Sequence, residues 1–242
     1  MQTAAALVIG NELLSGKIED RNVLVLARTL RALGIELRRV VVIPDEIQAI
    51  AGEVRLLAGS HDWLFTSGGV GPTHDDLTIE GVALAFDVPL VVSPELDQLL
   101  RGHYGDRVTE GHLLMARVPE GARLISTDAI PWPAVVMRNV WLLPGVPEIF
   151  QAKQHLIRAE LSGGAPFISL AVLTTLDEGQ LKPLLDHVVE AYRDVAIGSY
   201  PKFTDPEYRT KLTFDGLVEE RARAARDAFA DSLPEGTLVR IE

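Results

Sequence analysis

The chain has 242 residues, of which 47% are apolar and 24% charged, and this balance predicts a packed globular core. Its formal net charge of −11 disfavours a nucleic-acid partner, because a surface that follows a phosphate backbone must be basic. The absence of cysteine excludes disulfides, zinc–thiolate sites and cysteine nucleophiles.

The first predicted element, an apolar stretch at residues 4–9, is too short for a signal peptide and follows no basic segment. No apolar run approaches the roughly 18 residues that a membrane span requires. We therefore expect a cytoplasmic protein without a membrane partner.

Strands and helices alternate along the first part of the chain. Hydrophobic periodicity predicts strands at residues 4–9, 40–43 and 63–66, and helices at residues 21–33, 46–58 and 78–86, with Asp20 and Thr78 as N-caps. Such alternation implies right-handed crossovers and a mostly parallel sheet covered on both faces.

The next stretch is less regular. Helices are predicted at residues 94–104, 110–117 and 148–161, and short strands at residues 124–125, 134–137 and 140–143. A glycine-rich linker is predicted at residues 162–166.

The last part of the chain has the order β-α-β-β-α-β, which is the ferredoxin-like arrangement. Its predicted strands and helices cover residues 167–174, 178–193, 196–200, 208–214, 218–233 and 237–241. We therefore predict a three-layer α/β domain over residues 1–163, followed by a small ferredoxin-like α+β domain over residues 164–242.

Three glycine-bearing loops follow predicted strands: the first loop (residues 10–16), the glycine loop (residues 67–76) and the third loop (residues 144–147). Ligands of such sheets bind outside the carboxyl ends of the strands. If the strands are parallel, all three loops open on one edge. Candidate binding residues there are Gly10, Pro144 and Gly145.

The glycine loop is the most informative of the three. Gly68, Gly69 and Gly71 permit positive φ angles and leave no Cβ between backbone and ligand. Successive N–H groups can then surround a phosphate, and Ser67 and Thr73 add hydroxyl donors.

Two adjacent acids, Asp75 and Asp76, end this loop. They would repel a phosphate unless a cation intervened, and Mg²⁺ bridges carboxylates to phosphates. The pattern therefore indicates a metal-assisted phosphate site. The alternative is a tight strand-to-helix turn whose aspartates only favour the N-terminus of the next helix.

Several single residues have two interpretations each. Glu12 could accept a ribose hydroxyl or bind a metal, or it could be a solvated loop acid. Asn22 could face the loops or bond a helix end. His74 could touch phosphate or be solvated. Trp132 could stack on a flat ring or belong to the core.

Taken together, the loops resemble the motifs of the competence/damage-inducible protein A family. The resemblance rests on residues 10–16 with Asn22, residues 66–78 and residues 143–148, and it covers residues 3–161. The family's core is the molybdopterin-binding-like fold, which also forms the N-terminal part of eukaryotic FAD synthase. Residues 197–201 and 211–213 resemble the small domain that follows this core.

The resemblance implies a nucleotide pyrophosphatase that cleaves substrates of the ADP-ribose or FAD class into AMP and a second monophosphate. It implies a divalent metal (Mg²⁺, Mn²⁺ or Co²⁺) and assistance from potassium. By the same resemblance, the pyrophosphate is held by Gly68, Gly69, Gly71 and Thr73, the metal or water by Asp75 and Asp76, and the pocket is lined by Glu12 and Asn22. As for many soluble enzymes, a homo-oligomer is the prior expectation.

Three departures from the family pattern bear on activity. Leu114 stands where many relatives carry a lysine, residues 130–133 replace a Gly-x-Ala-Pro-Gly stretch, and the chain stops at Glu242, so amidohydrolase activity is not expected. Two alternatives stay open, because fold analogy does not decide between them. One is a non-catalytic molybdopterin- or nucleotide-binding module, and the other a molybdopterin adenylyl- or metal-transfer enzyme.

Overall fold

The computed structural model of the protein describes residues 1–161, 164–204 and 206–242. The chain forms two compact units, Met1–Gly164 and Ala165–Glu242. The predicted domain boundary, between residues 163 and 164, falls beside this division. Within the predicted linker, Ser162 and Gly163 lie outside the described residues.

The first unit contains a mixture of strands and helices. In chain order these are β1 (Thr3–Ile9), α1 (Asn11–Leu14), α2 (Asn22–Ala32), β2 (Glu36–Ile43), α3 (Ile47–Ser60), β3 (Trp63–Ser67), α4 (Thr78–Phe86), β4 (Leu90–Val92), α5 (Pro94–Tyr104), α6 (Glu110–Leu114), β5 (Arg117–Pro119), β6 (Arg123–Thr127), β7 (Ile130–Met137), β8 (Val140–Leu142) and α7 (Pro147–Glu160).

Six of these strands form one sheet in the order β2-β1-β3-β8-β7-β6. The pairs β1–β2, β1–β3 and β3–β8 are parallel, whereas β8–β7 and β7–β6 are antiparallel. The predicted mostly parallel sheet is confirmed, with an antiparallel edge that the short strands after residue 120 contribute.

Strand β1 is buried on both faces because its residues alternate between two hydrophobic cores. Leu7 packs into one core with residues of α3 that include Ile50. Ala6 packs into the other core with Leu26 of α2 and Phe150 of α7. Helices therefore cover both faces of the sheet, as the continuous apolar run of β1 predicts.

Two local predictions in this unit are wrong. Helix α6 ends at Leu114 rather than at Arg117, because Arg117–Pro119 forms β5 and pairs antiparallel with β4, with Val118 opposite Val91. Thr78 does not cap α4. It is the first residue of that helix, and its hydroxyl donates to the carbonyl oxygen of Gly68 at 2.8 Å.

The second unit has the predicted β-α-β-β-α-β order. Its elements are β9 (Ile168–Thr174), α8 (Glu178–Ala191), β10 (Ala196–Pro201), β11 (Thr210–Gly216), α9 (Glu219–Ser232) and β12 (Leu238–Ile241). The sheet order β10-β11-β9-β12 is antiparallel throughout, so the ferredoxin-like prediction is confirmed. Across the described ranges of both units, no helix is long and apolar enough to span a membrane.

Candidate functional site

The three predicted loops lie on one edge of the first unit's sheet. They follow β1, β3 and β8, which are parallel neighbours, so their carboxyl ends coincide. A cleft of about 1220 Å³ opens there, and all three loops line it. This volume suits a ligand of dinucleotide size, since pockets for drug-sized molecules measure roughly 300–1,000 Å³.

Asn22 ties two of these loops together. Its side-chain amide donates to the hydroxyl of Ser67 at 2.9 Å and to the carbonyl oxygen of Gly145 at 2.8 Å. The residue is only 4% exposed, at the first turn of α2. Asn22 therefore lines the cleft as predicted, but its amide nitrogen is used to position the loops.

A positive φ angle explains two of the loop glycines. Gly68 has a φ of 103° and donates its N–H to the carbonyl oxygen of Leu143 at 3.1 Å, and a Cβ there would overlap the carbonyl oxygen of Ile9. Gly69 has a φ of 66°. Gly71 permits a positive φ but does not adopt one. A Cβ at Gly71 would instead meet the Asp76 carboxylate at 2.7 Å.

The glycine loop also presents unused backbone donors. Among the described residues, no acceptor binds the N–H groups of Gly69, Val70 and Gly71, all of which line the cleft. Consecutive amides of this kind form an anion site, because each carries a partial positive charge. The loop therefore has the donor pattern that the sequence predicts for a phosphate.

Asp75 and Asp76 converge on the side chain of Thr73. The Thr73 hydroxyl oxygen lies 2.5 Å from Asp75 Oδ1 and 2.5 Å from Asp76 Oδ2, and the Thr73 N–H donates to Asp76 Oδ2 at 2.8 Å. The hydrogen bond from the Thr73 hydroxyl lowers the pKa of Asp75 below its ordinary value. A hydroxyl has one proton and serves one carboxylate at a time, so it cannot satisfy both members of this pair.

This donor set fits a hard divalent cation whose coordination is completed by its ligand. Mg²⁺ is commonly bound by one or two carboxylates together with substrate phosphates and water. Within the described residues no group of three or more His, Asp or Glu side chains could hold a metal alone. The pair therefore suits an ion that arrives with a phosphate better than a permanent protein-only site.

Neither aspartate caps α4 through a side-chain hydrogen bond. No side chain within the described part of the chain caps this helix, and the N–H of Thr78 donates to the carbonyl oxygen of Gly69 at 2.9 Å. Asp76 instead closes the turn that begins at Thr73. The acids thus organise the loop itself.

The remaining predicted residues, except Gly10, also line the cleft. Glu12 lines the cleft from the first turn of α1. Its side chain lies over Gly10, where an added Cβ would be 2.5 Å from Glu12 Oε1. Pro144 lines the cleft from the third loop. Asp45, which the sequence analysis missed, also lines the cleft and accepts the N–H of Asn11 at 2.8 Å.

Other residues of the cleft, here called the aromatic wall, come from outside the three loops. The rings of His103 and Tyr104 at the end of α5 pack edge to face, with 4.8 Å between their centroids. The ring of His103 also packs edge to face with that of Trp132 of β7, with 6.2 Å between centroids. All three line the cleft. Trp132 also packs against the apolar cluster that includes Leu96 and Leu100, so it combines a place at the cleft with contact to the core. The strand predicted at residues 134–137 did not include it.

Lys153 of α7 lines the same cleft and is only 3% exposed. Its ammonium donates to the carbonyl oxygens of Trp132 and Pro133, the second at 2.9 Å. Burial lowers the pKa of Lys153 to about 8. The sequence analysis missed this residue, although its spacing from Phe150 and Ile157 puts it on the buried face of the helix.

Two family models match successive parts of the chain. Residues 5–161 match the family described as "Probable molybdopterin binding domain". Residues 166–242 match the one described as "FAD synthase, middle domain".

Individual proteins are similar over nearly the whole chain. A protein of Archaeoglobus fulgidus is 33% identical over 225 residues, which are 93% of this chain and 95% of that protein. The "Probable FAD synthase" of Caenorhabditis elegans is 32% identical over 97% of this chain, which spans 50% of that protein's length. Among solved structures, the protein CinA "with unknown function" from Thermoplasma acidophilum superimposes with a TM-score of 0.61 at 28% identity, covering 66% of this chain and 98% of that one.

Proposed function

The chain belongs to the family of probable molybdopterin binding domains, and we propose that it is a metal-dependent nucleotide pyrophosphatase. Its CinA-like fold and its FAD synthase relatives associate it with nucleotide- or molybdopterin-related function. The proposed substrate is a dinucleotide-like diphosphate of the ADP-ribose or FAD class, and the proposed products are AMP and a second monophosphate.

One observation carries this proposal: the free N–H groups of the glycine loop lie next to a pair of carboxylates. Gly69 and Gly71 offer backbone donors to phosphate oxygens, while Asp75 and Asp76 share the single hydroxyl of Thr73. In a site for phosphate alone, the charge of two carboxylates would oppose binding. A site for phosphate with a cation needs both parts.

In the proposed reaction, water attacks one phosphorus of the diphosphate. A new P–O bond forms, the bridging P–O bond breaks, and the bridging oxygen leaves with the other monophosphate. The loop N–H groups would stabilise the charge that develops on the phosphoryl oxygens. A divalent cation held by Asp75 and Asp76 would neutralise the phosphate oxygens. The lowered pKa of Asp75 makes it a weak base, so it suits holding a cation better than removing a proton.

AMP release from ADP-ribose, FAD and NADH tests this proposal. Each substrate is incubated with Mg²⁺, Mn²⁺ or Co²⁺, with and without potassium, and AMP is measured by liquid chromatography. We expect the Asp76→Asn variant to lose at least about tenfold in kcat/KM, because the lost interaction is charged. Asp186→Asn is the matched control, since Asp186 is an exposed acid of α8 paired with Lys182.

Two outcomes would count against the proposal. No AMP from any pairing of substrate and metal would reject hydrolysis. Full activity in Asp76→Asn would reject the assignment of the acid pair.

A binding module for molybdopterin or a nucleotide is the second candidate. It is favoured by the family description, "Probable molybdopterin binding domain". Tight nucleotide binding without AMP release, at every metal tested, would support it.

A further inference from the structure

The charges that line the cleft are unbalanced. Seven carboxylate side chains line it, but only three lysine or arginine side chains do, namely Arg21, Arg117 and Lys153. A diphosphate adds further negative charge. The disposition of these three cations therefore decides which of them is available to such a ligand.

Two of the three cations are poor candidates. Arg117 already pairs with Glu80, with 3.4 Å between Nη1 and Oε1. Arg21 is exposed at the start of α2, where water screens its charge. Lys153 differs from both because it is buried.

The ammonium of Lys153 is hydrogen-bonded but not neutralised. It donates to the carbonyl oxygens of Trp132 and Pro133, which carry no net charge. No carboxylate lies within ion-pair distance of it among the residues that the structure describes. An ammonium has three N–H donors, and these two carbonyl oxygens use two of them.

The residues that hold this ammonium line the cleft together with the third loop. Strands β7 and β8 are antiparallel with Val135 opposite Leu142. Pro133 precedes this pair on β7 and Pro144 follows it at the start of the third loop, and both line the cleft. Gly145 in turn touches the glycine loop, because a Cβ there would lie 3.2 Å from Gly68 Cα. The cation and the amide donors thus belong to one edge of the sheet.

We propose that Lys153 is a phosphate-binding residue of the cleft, whose third N–H donates to a phosphoryl oxygen of the bound ligand. The inference rests on the proposed ligand class, a nucleoside diphosphate group, and not on hydrolysis. Desolvation of an unneutralised ammonium is costly, as its lowered pKa indicates, and an arriving anion relieves that cost.

The same proposal connects two departures from the family pattern. The resemblance leads one to expect a lysine at position 114. Leu114 lines this cleft and is 49% exposed, but its side chain is apolar and contributes no charge. The unusual segment at residues 130–133 supplies the carbonyl oxygens that hold Lys153. In this chain a cation from α7 would take the place of one at position 114.

Equilibrium binding of ADP and adenosine in the presence of Mg²⁺ tests the proposal, with binding rather than turnover as the readout. Isothermal titration of the full chain gives both dissociation constants for wild type, Lys153→Met and Lys153→Gln. We expect wild type to prefer ADP, and both variants to bind ADP about ten- to a hundredfold more weakly while adenosine affinity stays unchanged. Lys182→Met, which removes an exposed lysine of α8, is the control.

The comparison of two ligands separates charge recognition from a purely structural role. If Lys153 only supported the wall, adenosine and ADP would weaken together, most in Lys153→Met, since Gln keeps a donor for the carbonyl oxygens. Parallel weakening of both ligands would overturn the proposal. So would unchanged ADP affinity in the two variants, or a wild type that does not prefer ADP. Absence of AMP release with intact, Lys153-dependent ADP selectivity would reject hydrolysis alone.

Discussion

Backbone and amide hydrogen bonds hold the three loops of the cleft together, whereas ring contacts and one buried ammonium hold the aromatic wall. The loops depend on single residues that are hard to replace. Gly68 leaves no room for a Cβ, and Asn22 donates to two loops at once. The aromatic wall forms because α5 and α7 both pack against β7, which are elements distant in sequence. Loop geometry was therefore visible in local sequence, whereas Trp132 alone of the aromatic wall was singled out there.

Replacing a glycine in each region gives the largest expected contrast. Gly68→Ala would strain a φ of 103° and drive a Cβ into the Ile9 carbonyl oxygen. We expect a loss of about 4 kcal/mol in unfolding free energy, measured by urea denaturation. Gly102 of α5 has no atom within 4 Å of an added Cβ, so Gly102→Ala should stabilise by about 0.5–1 kcal/mol. Equal effects at the two sites would contradict the contrast.

Asn22 provides the next largest effect. Asn22→Ala removes two hydrogen bonds and leaves the Ser67 hydroxyl and the Gly145 carbonyl oxygen without their donor, which we expect to cost about 3 kcal/mol. Asn139→Ala is a matched control, because Asn139 also donates to two carbonyl oxygens, those of Ala58 and His61.

The two asparagine variants should differ in function more than in stability. Asn22→Ala should also lower kcat/KM for AMP release at a temperature where it stays folded, since it uncouples two loops of the cleft. Asn139→Ala should not. A comparable loss of activity in both would mean that Asn22 acts only through global stability.

The accuracy of sequence-based prediction follows the same division. Alternating strands and helices fix a parallel sheet, and parallel strands bring their carboxyl ends to one edge, so residues 10–16, 67–76 and 144–147 could be placed together. The acid pair next to the glycines was visible as a motif.

Long-range pairing accounts for what was missed. The end of α6 depends on β5 pairing with β4, about 27 residues earlier, which outweighs local helix preference. Lys153 escaped notice because lysine is almost never fully buried. Only its position on the face of α7 that carries Phe150 could have indicated its burial.

The pH dependence of stability sharpens the contrast at Lys153. Its pKa in the folded protein is about 8, against an ordinary value of 10.5. Between these values the unfolded chain binds the extra proton, so wild type gains stability as pH rises, relative to Lys153→Met, which cannot titrate there. The gain is complete above pH 10.5 and is lost as pH falls through 8. We expect the difference in unfolding free energy to shift by about 2 kcal/mol between pH 7 and pH 10. For Lys182→Met, which removes an exposed lysine, the difference in unfolding free energy from wild type should not change with pH. If the difference for Lys153→Met did not change either, the ammonium of Lys153 would not be desolvated.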